Sequence, residues 1–226
     1  MRRHQFAVQA EEAFRQFVLD PDFPCLGAKA AFNSNSQTLR VFGELASAEA
    51  TNELAAELPD FTKRPSAYAS FIAIFERPRE TTEIEFEELL WKQLRLLHAH
   101  EAAGLTWAHN VAADPADPHF SFSFGGQALY VIGMHANSSR EARRFPWPAL
   151  IFNPHEQFER LRSDGKWKHM QETIRQRDLQ LQGSINPMLS DFGEQSEARQ
   201  YSGSVVEANW RAPFKAANSG KCPFAH

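Results

Sequence analysis

Apolar positions recur through the opening segment at Phe6, Ala10, Phe14, Phe17 and Val18, the three- and four-residue spacing of one helix face. The prolines of "DPDFP" end that helix and lead into "FPCLGAKAAF". "TLRVFGEL" alternates as a short strand, and "YASFIAIFE" is a continuous apolar run bounded by prolines, the mark of a strand covered on both faces. Between them "SAEATNELAAEL" predicts a helix with Ser47 as its N-cap. At Thr82 the period changes. Thr82 and Glu85 form a capping box, and Phe86, Leu90, Leu94 and Leu97 make the apolar stripe of a long helix running to about Gly104.

Three short strand-like runs follow, "FSFSF", "QALYVIGM" and "PALIFN", separated by a glycine pair and by an arginine-rich segment. Asn153 as N-cap, Pro154 at the first helical position and Glu156 at the third predict the next helix. It breaks at "SDG" and resumes from Lys166 to about Leu181. The remainder is rich in glycine, serine and proline, with an irregular tail from about residue 203. Strands mixed with helices in this order predict a single α/β or α+β layered domain over residues 1–226, a central short-stranded sheet with flanking helices.

Composition narrows the picture. Nineteen phenylalanines and five tryptophans against three tyrosines point to dry interior surfaces, which suit a planar apolar ligand and suit a phenylalanine-rich core as well. The net charge is −4 and there is no long run of like charges, which argues against a nucleic-acid partner. No window approaches the roughly 18 apolar residues of a membrane span, and acids interrupt the N-terminus where a signal peptide is apolar, so a cytoplasmic protein without a membrane partner is expected. In that compartment Cys25 and Cys222 are expected to be free thiols or ligands rather than a bridge.

No phosphate loop, dinucleotide fingerprint, HExxH, paired CxxC or nucleophile elbow occurs. What remains is a polar collection where the strands end. His135 follows "LYVIGM" at the mouth of the sheet, and His155 sits in the first turn of a helix, whose dipole keeps an imidazole neutral and fit for a metal. Either is equally consistent with an ordinary hydrogen-bonding residue; His98, His100, His109, His119 and His169 fit that description better still. Arg140, Arg143 and Arg144 pair with Glu141 on a solvated face, or share one side of a helical turn and meet a carboxylate or phosphate. Farther on, Arg175, Arg177, Asp178, Glu197, Arg199 and Tyr201 form either a recognition set for a zwitterionic or guanidinium ligand or an exposed helix and loop.

"FPC" at Phe23–Cys25, "GMHANSSREARRF", "FNPHEQFERLR", "LQGSINPMLSDFGEQSEARQYSG" and "CPF" at Cys222–Phe224, in that order, resemble the YqcI/YcgG family, or FPC/CPF motif-containing proteins. Some members are heme-dependent N-hydroxylases of arginine-type substrates in guanitoxin and D-cycloserine biosynthesis. The resemblance implies heme b, O2, an external electron donor and a small-molecule substrate, an amino acid or guanidine compound, and leaves room for a homodimer. The implied activity is N-hydroxylation by a heme monooxygenase, the alternative a heme-binding or heme-sensing protein without turnover. It further implies that Arg140, Arg143 and Arg144 hold the propionates and that His155 or His135 is the axial ligand, with His155 favoured and a thiolate from Cys25 or Cys222 the third option. Glu197, Arg199, Tyr201 and Asp178 would orient the substrate. The chain departs from the family pattern in having "NWRAPF" where the CPF triplet is expected: either Ala212 replaces the cysteine or the motif has shifted to Cys222, and both weaken a role for that thiolate.

Overall fold

The computed structural model describes residues 2–63, 68–101 and 107–216. Its elements follow in the order α1 (Arg2–Leu19), α2 (Leu26–Asn33), β1 (Gln37–Glu44), α3 (Ala48–Thr62), β2 (Ser70–Arg77), α4 (Glu83–Glu101), β3 (Phe122–Phe124), β4 (Gln127–Met134), β5 (Ala149–Pro154), α5 (His155–Ser163) and α6 (Trp167–Gln182). The five strands form one sheet in the order β1-β2-β5-β4-β3. β1 and β2 are parallel, joined through α3, and the other pairings are antiparallel. The expected layered α/β architecture is what the chain adopts. The expected helix end near Gly104 lies outside the described residues, as does Cys222.

Local signals account for most boundaries. Ser47 Oγ accepts the Ala50 N–H at 3.2 Å and so caps α3. The Thr82 N–H donates to Glu85 Oε2 at 2.8 Å while Glu85 N–H donates back to Thr82 Oγ1 at 3.2 Å, the reciprocal capping box that starts α4. One expectation is corrected. Asn153 does not cap α5; it belongs to β5, whose pairing runs on to Pro154 opposite Leu129. Its amide accepts from Ser70 Oγ at 2.7 Å and donates to the Tyr130 carbonyl at 3.4 Å, and α5 begins at His155 without a side-chain cap. A second difference is α2, formed from "LGAKAAFN" with the Cys25 thiol accepting from Ala28 N at 3.5 Å.

Strand alternation sends side chains to two different layers. Phe71, Ala73 and Phe75 of β2, Leu129 and Val131 of β4, and Leu150 and Phe152 of β5 pack with α3 and α4 around Leu54, Phe86, Leu90 and Trp91. Ile72, Ile74, Met134, Ala149 and Ile151 face α1, meeting Phe6, Phe14, Phe145 and Trp147. Gly133 sits on the α4 side of β4, where a Cβ would lie 2.7 Å from Leu90 Cδ1, 2.7 Å from Phe86 Cε1 and 2.9 Å from the Tyr201 carbonyl. Its N–H donates to that carbonyl at 2.7 Å, so the chain around Tyr201 docks on β4 where no side chain intervenes. No helix among the described residues is long and apolar enough to cross a membrane. Gly133→Ala is expected to overpack this junction and lower unfolding stability by about 1–3 kcal/mol; an unchanged urea midpoint would show that Leu90 and Phe86 give way freely.

Candidate functional site

The three arginines of "HANSSREARRF" turn in three directions. Arg140 lies in extended backbone before a 3-10 turn at Glu141–Arg143, and Arg144 pairs back with His135 in a β-bridge, so the shared helical face does not form. Arg140 is buried, donating to Asp178 Oδ2 at 2.6 Å and to the Ser184 carbonyl at 2.8 Å. Arg143 donates to the carbonyls of Gly133 and Tyr201, both at 3.1 Å, and of Gln200 at 2.9 Å. Arg144 is exposed, paired with Glu141 at 2.7 Å and bonded to the Ser138 carbonyl.

A cavity of about 230 Å³ opens on the α1 side of the sheet. Phe14, Phe23, Ala28 and Phe32 line it from α1, the elbow after it and α2; Ile72, Ile132 and Ile151 form its floor; Phe158, Trp167, Met170 and Ile174 close it from α5 and α6. Into this apolar space come Cys25, His155, Arg162, Arg175 and Glu197. Among the described lining residues there is no place for Arg140, Arg143 or Arg144.

The two histidines are separated by the sheet. His135 continues the residues of β4 that face α4 and stacks on Phe86, ring centroids 4.4 Å apart. It is 1% exposed, and among the described residues neither ring nitrogen has a partner. His155 lines the cavity at 3% exposure, with Phe192 at 4.5 Å. Its Nε2 lies 3.3 Å from Glu159 Oε1, one turn along α5, and its buried Nδ1 is unpartnered. Burial pulls both imidazoles below their ordinary pKa, against the opposing pull of Glu83 on His135 and Glu159 on His155. Burial pushes the Cys25 thiol up, so in the ligand-free protein the sulfur at the cavity wall is held as a neutral thiol.

Of the four substrate candidates, Glu197 alone lines the cavity. Asp178 is taken by Arg140 and by the Asn186 N–H. Arg199 holds the carbonyls of Val206 and Glu207 beside Trp210, in a separate groove. Tyr201 is fully buried, its hydroxyl between Phe122 N and Glu197. Arg177 bonds the carbonyls of Pro21 and Phe23 and so fixes the elbow that carries Cys25. Of the cations at the wall, Arg175 belongs to the recognition set the sequence offered and Arg162 went unmarked; the i,i+4 relation of Arg162 to Phe158 and of Arg175 to Gln171 puts them on lining faces of α5 and α6.

No group of three or more His, Cys, Asp or Glu side chains among the described residues is arranged around a metal ion. A porphyrin brings its own four nitrogens, so one protein ligand is the requirement to test. Among the described residues His155 is the imidazole that lines the apolar cavity, with its Nδ1 buried and unpartnered.

The YqcI/YcgG family model matches residues 14–215. Two curated proteins of Bacillus subtilis (strain 168), the uncharacterized proteins YcgG and YqcI, are each 29% identical to the chain over 192 and 191 residues. The alignments cover 79% of this chain and 75% and 74% of theirs. No solved structure matches it.

Both buried histidines must charge when the chain unfolds in acid, because the native state holds them neutral. Their depressed native pKa values therefore add stability that is complete above about pH 6.5 and lost as pH falls toward those values, by up to about 1.4 kcal/mol per pH unit for each ring. His135→Phe is expected to flatten this acid limb in urea unfolding between pH 7 and 5; a parallel loss in wild type and variant would refute the account.

Proposed function

The chain belongs to the YqcI/YcgG family, and we propose that it is a heme-dependent N-oxygenase acting on a nitrogen of an amino acid or guanidine compound. The observation that carries the reading is His155: a buried, neutral imidazole in the wall of an apolar cavity, one nitrogen beside a carboxylate and the other without a partner. Histidines that hold a metal are commonly oriented in this way, the second nitrogen donating to a carboxylate that fixes the tautomer and raises the basicity of the first. Here Glu159 takes that part. Heme, when bound, supplies O2 binding and the transfer of one oxygen atom to the substrate nitrogen, with electrons from an external donor.

The chain's own contribution is position and exclusion of water. The apolar walls lower the local dielectric, which strengthens each polar contact made inside the cavity. Arg162 is oriented by Glu159 at 2.5 Å and lies over Trp167, 5.1 Å from the ring centre, with Phe192 at 5.7 Å. With Arg175, which pairs with Asp191 at 3.8 Å, it replaces Arg140, Arg143 and Arg144 as the contact for heme carboxylates, because these two line the cavity and those three do not. Glu197 is the substrate-side residue that reaches the cavity.

Reconstitution with hemin is expected to give stoichiometric binding and a shifted Soret band; absence of both ends the heme reading. His155→Ala should lose the native spectrum while His135→Ala keeps it, and the reverse would move the ligand to His135. Arg162→Gln combined with Arg175→Gln should weaken hemin retention about tenfold or more, the scale of one charge-assisted hydrogen bond, with Arg144→Gln unchanged. Loaded protein given arginine, a reductant and O2 should form a product heavier by one oxygen atom. Loading without any product would favour heme binding without turnover.

A further inference from the structure

Glu197 begins the short 3-10 turn Glu197–Gln200 and lines the cavity at only 6% exposure. Two hydroxyls converge on one of its oxygens: Ser121 Oγ donates to Oε1 at 2.8 Å and the Tyr201 hydroxyl donates to the same atom at 2.6 Å. The direction of the second bond follows from its neighbour. The Tyr201 oxygen accepts the Phe122 N–H at 3.0 Å, so its own hydrogen is free to go to Glu197. Oε2 has no partner among the described residues, and it is the atom left to carry a proton.

The surroundings favour the neutral form. Arg162 of α5 is the cation that faces the carboxyl, and its hydrogen bond goes to Glu159. From β4 comes Tyr130, an uncharged phenol whose hydroxyl donates to Gln200 Oε1 at 2.8 Å. Tyr201 and Ser121 donate as neutral groups, and His155 across the cavity is held neutral by burial. Removal from water lifts the Glu197 carboxyl to about 8 against the lowering by its two hydroxyl donors and Arg162.

We propose that Glu197 is the proton donor of the cavity, a neutral acid in the ligand-free protein whose hydrogen sits on Oε2 and passes to a basic atom of the bound ligand. In that transfer the Oε2–H bond breaks, a bond forms between the hydrogen and a lone pair of the ligand, and the negative charge stays on Glu197. The two hydroxyls already donating to Oε1 stabilise it without rearrangement. Water entering the emptied cavity returns the proton. Tyr201 and Ser121 are positioning residues, since they act through the carboxyl. The proton on Oε2 rests on the burial of Glu197 in an apolar wall against the pull of its two hydroxyl donors, whereas its use in turnover rests on the N-oxygenase reading.

Infrared difference spectra of the ligand-free protein test the first part. At pH 7 wild type should show a carboxylic-acid carbonyl band that Glu197→Gln removes, that shifts at once in D2O, and that gives way to carboxylate as pH rises through about 8. Ser121→Ala should raise that midpoint by removing a donor to the carboxylate. No acid band sensitive to Glu197→Gln, or one that exchanges slowly, overturns the proposal. Folding offers a second readout. A carboxyl raised in the native state adds stability that is full below its unfolded value and is lost as pH rises through about 8, so Glu197→Gln should abolish an alkaline loss of stability seen in wild type. With hemin bound, Glu197→Gln should keep hemin affinity, slow product formation about tenfold or more, and lose the alkaline limb of the rate profile. An unchanged rate with hemin retained overturns the donor role. Failure to load hemin sinks the N-oxygenase reading instead, and the infrared titration then decides on Glu197 alone.

Discussion

Arg143 holds the segment that carries Glu197 and Tyr201 to the sheet. Among the described residues after Ser196 there is one short turn and no strand, so the inward carbonyls of this segment have no ladder partners, and a buried carbonyl without a donor is costly. One guanidinium supplies donors to Gln200 and Tyr201 on that segment and to Gly133 on β4. The bare backbone of Gly133 lets the two approach, and its N–H adds a bond to the Tyr201 carbonyl. Tyr201 then stacks on Trp91 at 5.6 Å, and Glu197 is delivered to the cavity wall. Without this junction nothing in the local sequence around "SEARQYSG" would place a carboxyl there.

Other buried polar groups are satisfied in the same economical way. Gln93 accepts from Ala46 N at 2.9 Å and donates to Thr51 Oγ1 at 2.8 Å, tying α4 to the start of α3. Gln157 accepts from Ala69 N at 2.8 Å, and Arg140 with Asp178 joins the β4–β5 connection to α6. Against these closed groups, a buried polar atom left without a partner calls for an explanation. One of the unclosed groups, His155 Nδ1, belongs to a residue that lines the same cavity as the buried Glu197 carboxyl, whereas none of the three arginines of the cluster lines it, which is why that cavity is the functional candidate.

The fold was largely readable because its signals are local. The capping box at Thr82, the Ser47 cap, the stripe from Phe86 to Leu97 and the alternation of "QALYVIGM" each lie within one element. Asn153 misled because an Asn-Pro pair before a helix reads as a cap, while pairing with β4 extended the strand over it. The arginines misled for a different reason. Arg140 finds its partner 38 residues away and Arg143 finds one 58 away, and no spacing within "REARR" records such distances. For the same reason Arg162 looked like a member of an ordinary charged helix, and Arg175 was left between a recognition set and an exposed helix, although each lines the cavity.

The two faces of the sheet explain why the cavity is where it is. On the α4 side Trp91, Phe71, Phe75 and Phe152 fill the space between sheet and helices with side chains that leave no exposure. On the α1 side α2 presents Gly27, Ala28 and Ala31 to the interior, too small to reach the isoleucines of the floor, and α5 and α6 span the gap with Phe158, Trp167 and Ile174. The hollow is therefore built by substituting small for large residues on one short helix over an otherwise ordinary sheet face. Its apolar lining lowers the local dielectric, so the few polar atoms that enter it interact far more strongly than they would on the surface. That is the physical condition under which one neutral imidazole, two cations and one protonated carboxyl can govern what binds and where a proton goes.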